Sequence, residues 1–253
     1  MTVHISSGKL SRPRPRLPRW FVLSTVAIVL LLSVWFVGVP YIFSLRDIVI
    51  RGVPDDIASV MTSVLREKIE ENGKWKNVFS LDTNAMRLFL EGQFDIVASV
   101  SVQRDFFHAV KINATIRRAV GVWCAKGSCV FFDRGGATWG SMAPSRGSLL
   151  VSVEDNRQDS SGAKDSVSRD AVLLLSDKFV ELGIRGMTYK FTDIAPGDLF
   201  IETDRGYSIY FDYYTDLNDQ IKTLNTFLAS PDKIKSSPQE YIDLRTIGRV
   251  YFK

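Results

Sequence analysis

Side chains able to do acid–base, nucleophilic or metal chemistry are scattered in this sequence. Neither histidine, His4 nor His108, falls in a metal-binding spacing. There is no G-x-S-x-G, no H-E-x-x-H and no phosphate-binding glycine loop. S-x-x-K begins at Ser6, Ser161 and Ser230, but the S-D-N and K-T-G partners that give it meaning are absent. Asp193, Asp198 and Glu202 are the carboxylates a glycan-cleaving pair would draw on. Strand ends and solvated faces account for them more simply. The expectation is a protein without catalytic residues, cofactor or metal.

Cys124 and Cys129 flank Lys126-Gly127, a good turn centre. A hairpin there would bring the two side chains close enough to bridge, and an oxidising compartment would favour the bond. A disulfide is the preferred reading, ahead of a reduced pair packed as small hydrophobes. The aromatic run Tyr207, Tyr210, Phe211, Tyr213 and Tyr214 suits a sheet, where aromatics are favoured. Trp75, Trp123 and Trp139 are read as structural.

The elements that carry these residues begin with an apolar stretch. Residues 20–39 contain no charge, and about 20 apolar residues rise ~30 Å as a helix, the thickness of a hydrocarbon core. Lys9, Arg12, Arg14, Arg16 and Arg19 precede it, in a tail (1–19) with no acid. The expected arrangement is one transmembrane helix with a cytoplasmic N-terminus and the remaining mass outside. A cleaved signal peptide is disfavoured, because its apolar region would be shorter and followed by a small-residue cleavage site. The formal net charge of +4 is smaller than the five basic residues of the tail. The rest is near neutral, so a nucleic-acid partner is not expected.

Outside the membrane the pattern predicts an α+β fold in two domains. From 43 to 118 the order reads β-α-α-β-β. Leu45–Gly52 is strand-like, a helix opens at Pro54-Asp55-Asp56, a second is capped by Asp82, and two alternating runs follow at 96–103 and 110–117. From 119 to 253 the chain is strand-rich, with helices expected at 169–182 and 216–228. Residues 154–168 are polar without an apolar period, which predicts an exposed, mobile loop. The chain closes with Tyr241, Ile242, Asp243, Leu244 and Arg245, a turn, then Arg249, Val250, Tyr251 and Phe252. At a sheet edge, such a run could accept a strand from another protein. The competing reading is an ordinary closing hairpin.

Taken in order, these segments resemble the bacterial cell-division family called FtsQ or DivIB. The stretches that carry the resemblance are LRDIVIRG (45–52), VFSLD (78–82), VSVQR (100–104), VKINATIRRAV (110–120), Phe132-Asp133 with Gly136, YIDLR (241–245) and RVYFK (249–253). Phe106-Phe107 stands where the family often has tryptophan-proline, and Arg117-Arg118-Ala119 where it often has glutamate-arginine-proline. The resemblance implies a POTRA domain at 43–118 and a β domain of the FtsQ type at 119–253. It implies a non-enzymatic scaffold of the inner membrane, gathered at the septum. Such a scaffold links early and late division proteins and regulates septal peptidoglycan synthesis. The implied partners are FtsB/FtsL-like bitopic proteins at the closing strands and other division proteins at the POTRA-like part. A POTRA-type chaperone or secretion component binding client strands is the alternative, with an anchored cell-wall enzyme behind it.

Overall fold

The computed structural model describes residues 18–34, 43–105, 108–142, 150–230 and 238–253. It is a mixed α+β protein that divides into two compact units, Met1–Leu88 with Ser101–Asn113, and Phe89–Val100 with Ala114–Lys253. Most of the expected basic tail, 1–17, and residues 35–39 of the expected membrane helix lie outside the described residues. What is described is α1, Arg19–Ser33. Among the described residues no helix is long and apolar enough to cross a membrane. At 1.5 Å per residue, α1 spans about 22 Å.

The strand β1 (Asp47–Arg51) is followed by α2 (Asp55–Glu71), α3 (Thr83–Gln93), β2 (Val97–Asp105) and β3 (Ala109–Ile116). This is the expected β-α-α-β-β order, in a sheet of order β1-β3-β2. The chain enters α2 through Pro54, with Asp55 and Asp56 in its positive first turn. Its buried stripe is Met61, Leu65 and Ile69, one residue every turn. Val60, next to Met61 on the helix, is exposed. Asp82 caps α3, its Oδ1 accepting the amides of Asn84 and Ala85 at 3.0 Å. β1 runs parallel to β3, with Asp47 opposite Ala109 and Arg51 opposite Asn113.

The second sheet has nine strands in the order β12-β11-β10-β9-β8-β7-β4-β5-β6. β4 (Gly121–Ala125), β5 (Ser128–Phe132) and β6 (Thr138–Met142) fold outward as an antiparallel meander. The chain then returns to the other side of β4 as β7 (Val151–Asp155), parallel to it. Helix α4 (Ser166–Glu181) carries it to β8 (Gly186–Phe191), again parallel. β9 (Asp198–Thr203) and β10 (Ser208–Asp212) form a hairpin. Helix α5 (Leu217–Ala229) crosses to β11 (Tyr241–Asp243), parallel to β10, and β12 (Tyr251–Phe252) pairs antiparallel to β11.

Period-two alternation puts Trp123, Val153, Tyr189, Ile201, Ile209 and Ile242 on one face, opposite one another in register. All six are buried, and they share one core with Leu175 and Phe179 of α4 and Ile221 and Leu224 of α5. Trp123 stacks on Phe191 at 5.6 Å. Trp75, Trp123 and Trp139 are all buried, as their structural reading required. Gly121 in β4 is a packing residue: a Cβ there would stand 2.5 Å from the Val151 carbonyl oxygen.

Lys126 and Gly127 both have positive φ, +51° and +79°, which is the backbone of a two-residue type I′ hairpin. The turn sets Cys124 directly opposite Cys129, with Cα atoms 4.0 Å apart, and the two form a disulfide. The closed loop is short, with a sequence separation of 5, so chain entropy assigns the bond only about 2 kcal/mol. Replacing both cysteines by alanine is expected to lower stability by that amount. The check is the denaturation midpoint of the double variant against the oxidised parent.

The segment 154–168, expected as an exposed loop, is tied to the core. Glu154 and Asp155 finish β7, Gly162–Lys164 forms a 3-10 turn and Ser166 opens α4. Arg157 turns inward between them. Its Nε and Nη2 donate to the two Asp155 oxygens at 2.9 and 2.7 Å, and its Nη1 reaches Ser168 Oγ at 2.8 Å and Tyr213 OH at 2.9 Å. Its guanidinium also lies 4.5 Å from the Phe191 ring centre. Asp155 further accepts from the Trp123 indole at 3.1 Å and from the Ser160 hydroxyl. Asn156, Gln158, Asp159, Ser161 and Lys164 are exposed, as the polar composition suggested, whereas Asp155, Arg157, Ser160 and Ser168 satisfy one another beneath them.

Candidate functional site at the closing strands

The sheet order corrects one expectation. Tyr241–Asp243 is not an edge strand: β11 lies between β10 and β12, with Ile242 opposite Ile209 on one side and Phe252 on the other. Ile242 and Leu244 are buried and belong to the core. The edge is β12. Its neighbours hold it through a tight turn, where the Arg249 amide donates to Thr246 O at 3.1 Å and Gly248 takes φ +69°. Beyond the turn, the Lys253 amide donates to Tyr241 O at 3.1 Å, and Lys253 O accepts the Glu240 amide at 2.8 Å. Lys253 and Glu240 also pair through their side chains at 2.9 Å.

β12 leaves its apolar side chains in view. Tyr251 is 49% exposed and Phe252 42% exposed, and Ile247 at the turn is 81% exposed. Phe252 leans on Phe227 of α5 at 5.0 Å, whereas Arg249 projects outward. Val250 instead packs against the core. Of the nine closing residues singled out in the sequence, Arg249, Tyr251 and Phe252 are presented at the edge. Tyr241 is half-buried on the open sheet face, stacked on Tyr210 at 5.4 Å, with Phe200 edge-on to Tyr210 at 4.6 Å.

Asp243 and Arg245 are engaged with each other. The Arg245 amide and Nε donate to Asp243 Oδ1, both at 3.0 Å, and Nη2 donates to Oδ2 at 2.7 Å. Nη1 then reaches Asp198 Oδ1 at 2.9 Å. Asp155 and Arg157 repeat this arrangement at the end of β7, with the same donors on the same oxygens. Both are Asp-x-Arg at the end of a strand, so the pattern is a structural clip for a chain leaving the sheet. Burial pushes both carboxyls up, but the paired guanidinium outweighs it and holds Asp155 and Asp243 below the ordinary carboxylate range. The bond to Asp243 raises the Arg245 pKa in turn.

Each of the three candidate hydrolytic acids is engaged with a partner. Asp198 and Glu202 stand four residues apart on β9, about 13 Å along a strand, beyond the separation of a glycan-cleaving pair. Asp198 is bound by Arg245, Glu202 by Lys190 at 2.6 Å, and Asp193 accepts the Gln158 amide at 2.8 Å. Among the described residues no group of acids, histidines and cysteines could hold a metal ion. The closing strands offer main-chain groups at an edge with Tyr251, Phe252 and Arg249 beside them, chemistry that protein contacts use. No protein-family model matches the chain, and no curated protein matches it.

Proposed function

We propose that this chain is a non-enzymatic, membrane-anchored scaffold of the bacterial division complex. It links early and late division proteins and regulates septal peptidoglycan synthesis through extracytoplasmic contacts. The carrying observation is β12, an edge strand with Tyr251 and Phe252 exposed. An FtsB/FtsL-like bitopic partner adds a strand or helix there, main-chain bonds giving affinity and alternate side chains selectivity. The POTRA-like β-α-α-β-β part recruits other division proteins. The Cys124–Cys129 bond favours an oxidising compartment. Leu23, Ile28, Val29, Leu30 and Leu31 of α1 are exposed around the helix, a pattern suited to lipid. Tethering both partners to one membrane raises their effective concentration, so modest intrinsic affinity suffices.

The experiment places a photocrosslinking amino acid at Tyr251 of the full chain in dividing cells, with a fluorescent fusion to follow position. The expected result is a midcell band and one small membrane protein trapped at Tyr251. A uniform envelope distribution in dividing cells, with no partner trapped, would sink the reading.

A further inference from the structure

Just past the apolar stretch the first unit presents two aromatic rings and two lysines together. Phe43 and Phe79 meet edge to face at 4.5 Å, and Phe79 is 59% exposed. The backbone brings them there. The Val78 amide donates to Phe43 O at 2.9 Å, Ser44 bridges Asn77, and the Leu45 amide donates to Lys76 O at 2.8 Å. The Ser80 hydroxyl donates to Lys74 O, which folds the 3-10 turn Gly73–Lys76 back towards Phe79. Lys74 and Lys76 are exposed and, among the described residues, form no ion pair. No acid occurs between Asn72 and Leu81, although Asp47 is exposed beyond Arg46. Trp75, between the lysines, is buried and holds the turn.

We infer that this end of the first unit rests on the surface of an anionic bilayer. The inference depends on the proposed membrane anchorage and goes beyond it. Only Pro40, Tyr41 and Ile42 separate Val39 from Phe43, so Phe43 lies at most about 14 Å of extended chain from the end of the apolar stretch. The headgroup layer is within that reach. Aromatic rings partition into this layer, and lysines beside them meet lipid phosphates, keeping their charge in water while their stems cover apolar surface. The tether thus becomes a mount that fixes which side of the unit faces away from the membrane.

The test uses the full chain in vesicles of phosphatidylcholine with phosphatidylglycerol. Its two native cysteines are bonded, so one added thiol is the labelling site. An environment-sensitive fluorophore is placed in turn through Gly73→Cys, an exposed position where an added side chain meets nothing within 4 Å, Val60→Cys and Thr25→Cys, and quenched by lipids carrying a headgroup or an acyl-chain nitroxide. The expected result is acyl-chain quenching at 25, headgroup quenching at 73 at least threefold above that at 60, and a blue-shifted emission at 73. Lys74→Glu with Lys76→Glu, or vesicles of phosphatidylcholine alone, should reduce quenching at 73 at least twofold without changing it at 25. Quenching at 73 no greater than at 60, with 25 quenched, overturns the inference and leaves anchorage standing. No quenching at 25 overturns both.

Discussion

Asp155→Asn is expected to destabilise the second unit by about 3 kcal/mol, the low end of the cost of breaking a buried pair, because Arg157 then keeps only its longer pairing with Asp165 at 3.4 Å. The Asp155 side chain is fully buried and that of Arg157 is 14% exposed, so solvent cannot take over the pairing. The substitution keeps the shape of the side chain, which isolates charge from packing. A second variant sharpens the test. Asp155→Val with Arg157→Met removes both charges and should cost clearly less than Asp155→Asn alone, because no ion is then stranded. Guanidinium denaturation followed by tryptophan fluorescence reads both, since Trp123 donates to Asp155. A loss below about 1 kcal/mol for Asp155→Asn would show that the network carries little stability. The same pair sets a pH dependence. Asp155 and Asp243 are held below their ordinary range when folded, so their stabilisation is present above an unfolded pKa of about 3.9. It should be lost as pH falls below ~4 through the folded values, and the acid limb should flatten in Asp155→Asn.

Ile242→Pro is the second large effect. Were Tyr241–Arg245 a free edge, proline there would weaken partner capture and leave the fold intact. With β11 inside the sheet, Ile242 is fully buried between Ile209 and Phe252. Proline removes an amide, resists ladder geometry and leaves part of the isoleucine volume empty, for a cost of ~3 kcal/mol or more. The expected outcome is release of β11 and β12, seen as faster proteolysis near 241–253 and a lower denaturation midpoint. Tyr251→Ala is the comparison, because its half-exposed side chain stands at the edge. It should leave the midpoint within about 0.5 kcal/mol of the parent. A folded, protease-resistant Ile242→Pro chain would remove β11 from the sheet interior.

Local pattern carried much of the fold. Helix α5 at Leu217–Ala229 follows the expected 216–228 because Leu217, Ile221 and Leu224 repeat at helical spacing. The cysteine hairpin followed from Lys126-Gly127, whose two residues take the positive φ the turn requires. β6 was not legible: Thr138–Met142 is interrupted by Gly140 at φ +68° and shows no alternation. Nor could alternation say which strands are neighbours. The period of two places Ile242 on a face, whereas its position inside the sheet comes from the crossover through α5 and from β12 beyond it. The Arg157 network escaped because composition marks polar residues as solvated. Its signal was present as Asp155-x-Arg157, the spacing repeated at Asp243-x-Arg245. At the candidate site the sequence named nine closing residues without separating those that support from those that are exposed. Side-chain burial then divided them, with Ile242, Leu244 and Val250 supporting and Arg249, Tyr251 and Phe252 presented.

The three parallel joins of the large sheet also dictate a timetable. β4 with β7, β7 with β8, and β10 with β11 each unite residues roughly thirty or more positions apart, so each must close a long loop before any ladder bond rewards it. The β4–β5 and β9–β10 hairpins are local and can form within about 10 microseconds. They must then wait for α4 and α5 to bring distant chain alongside. Until the β10–β11 join is made, β10 is itself an uncovered edge, open to strands of other chains.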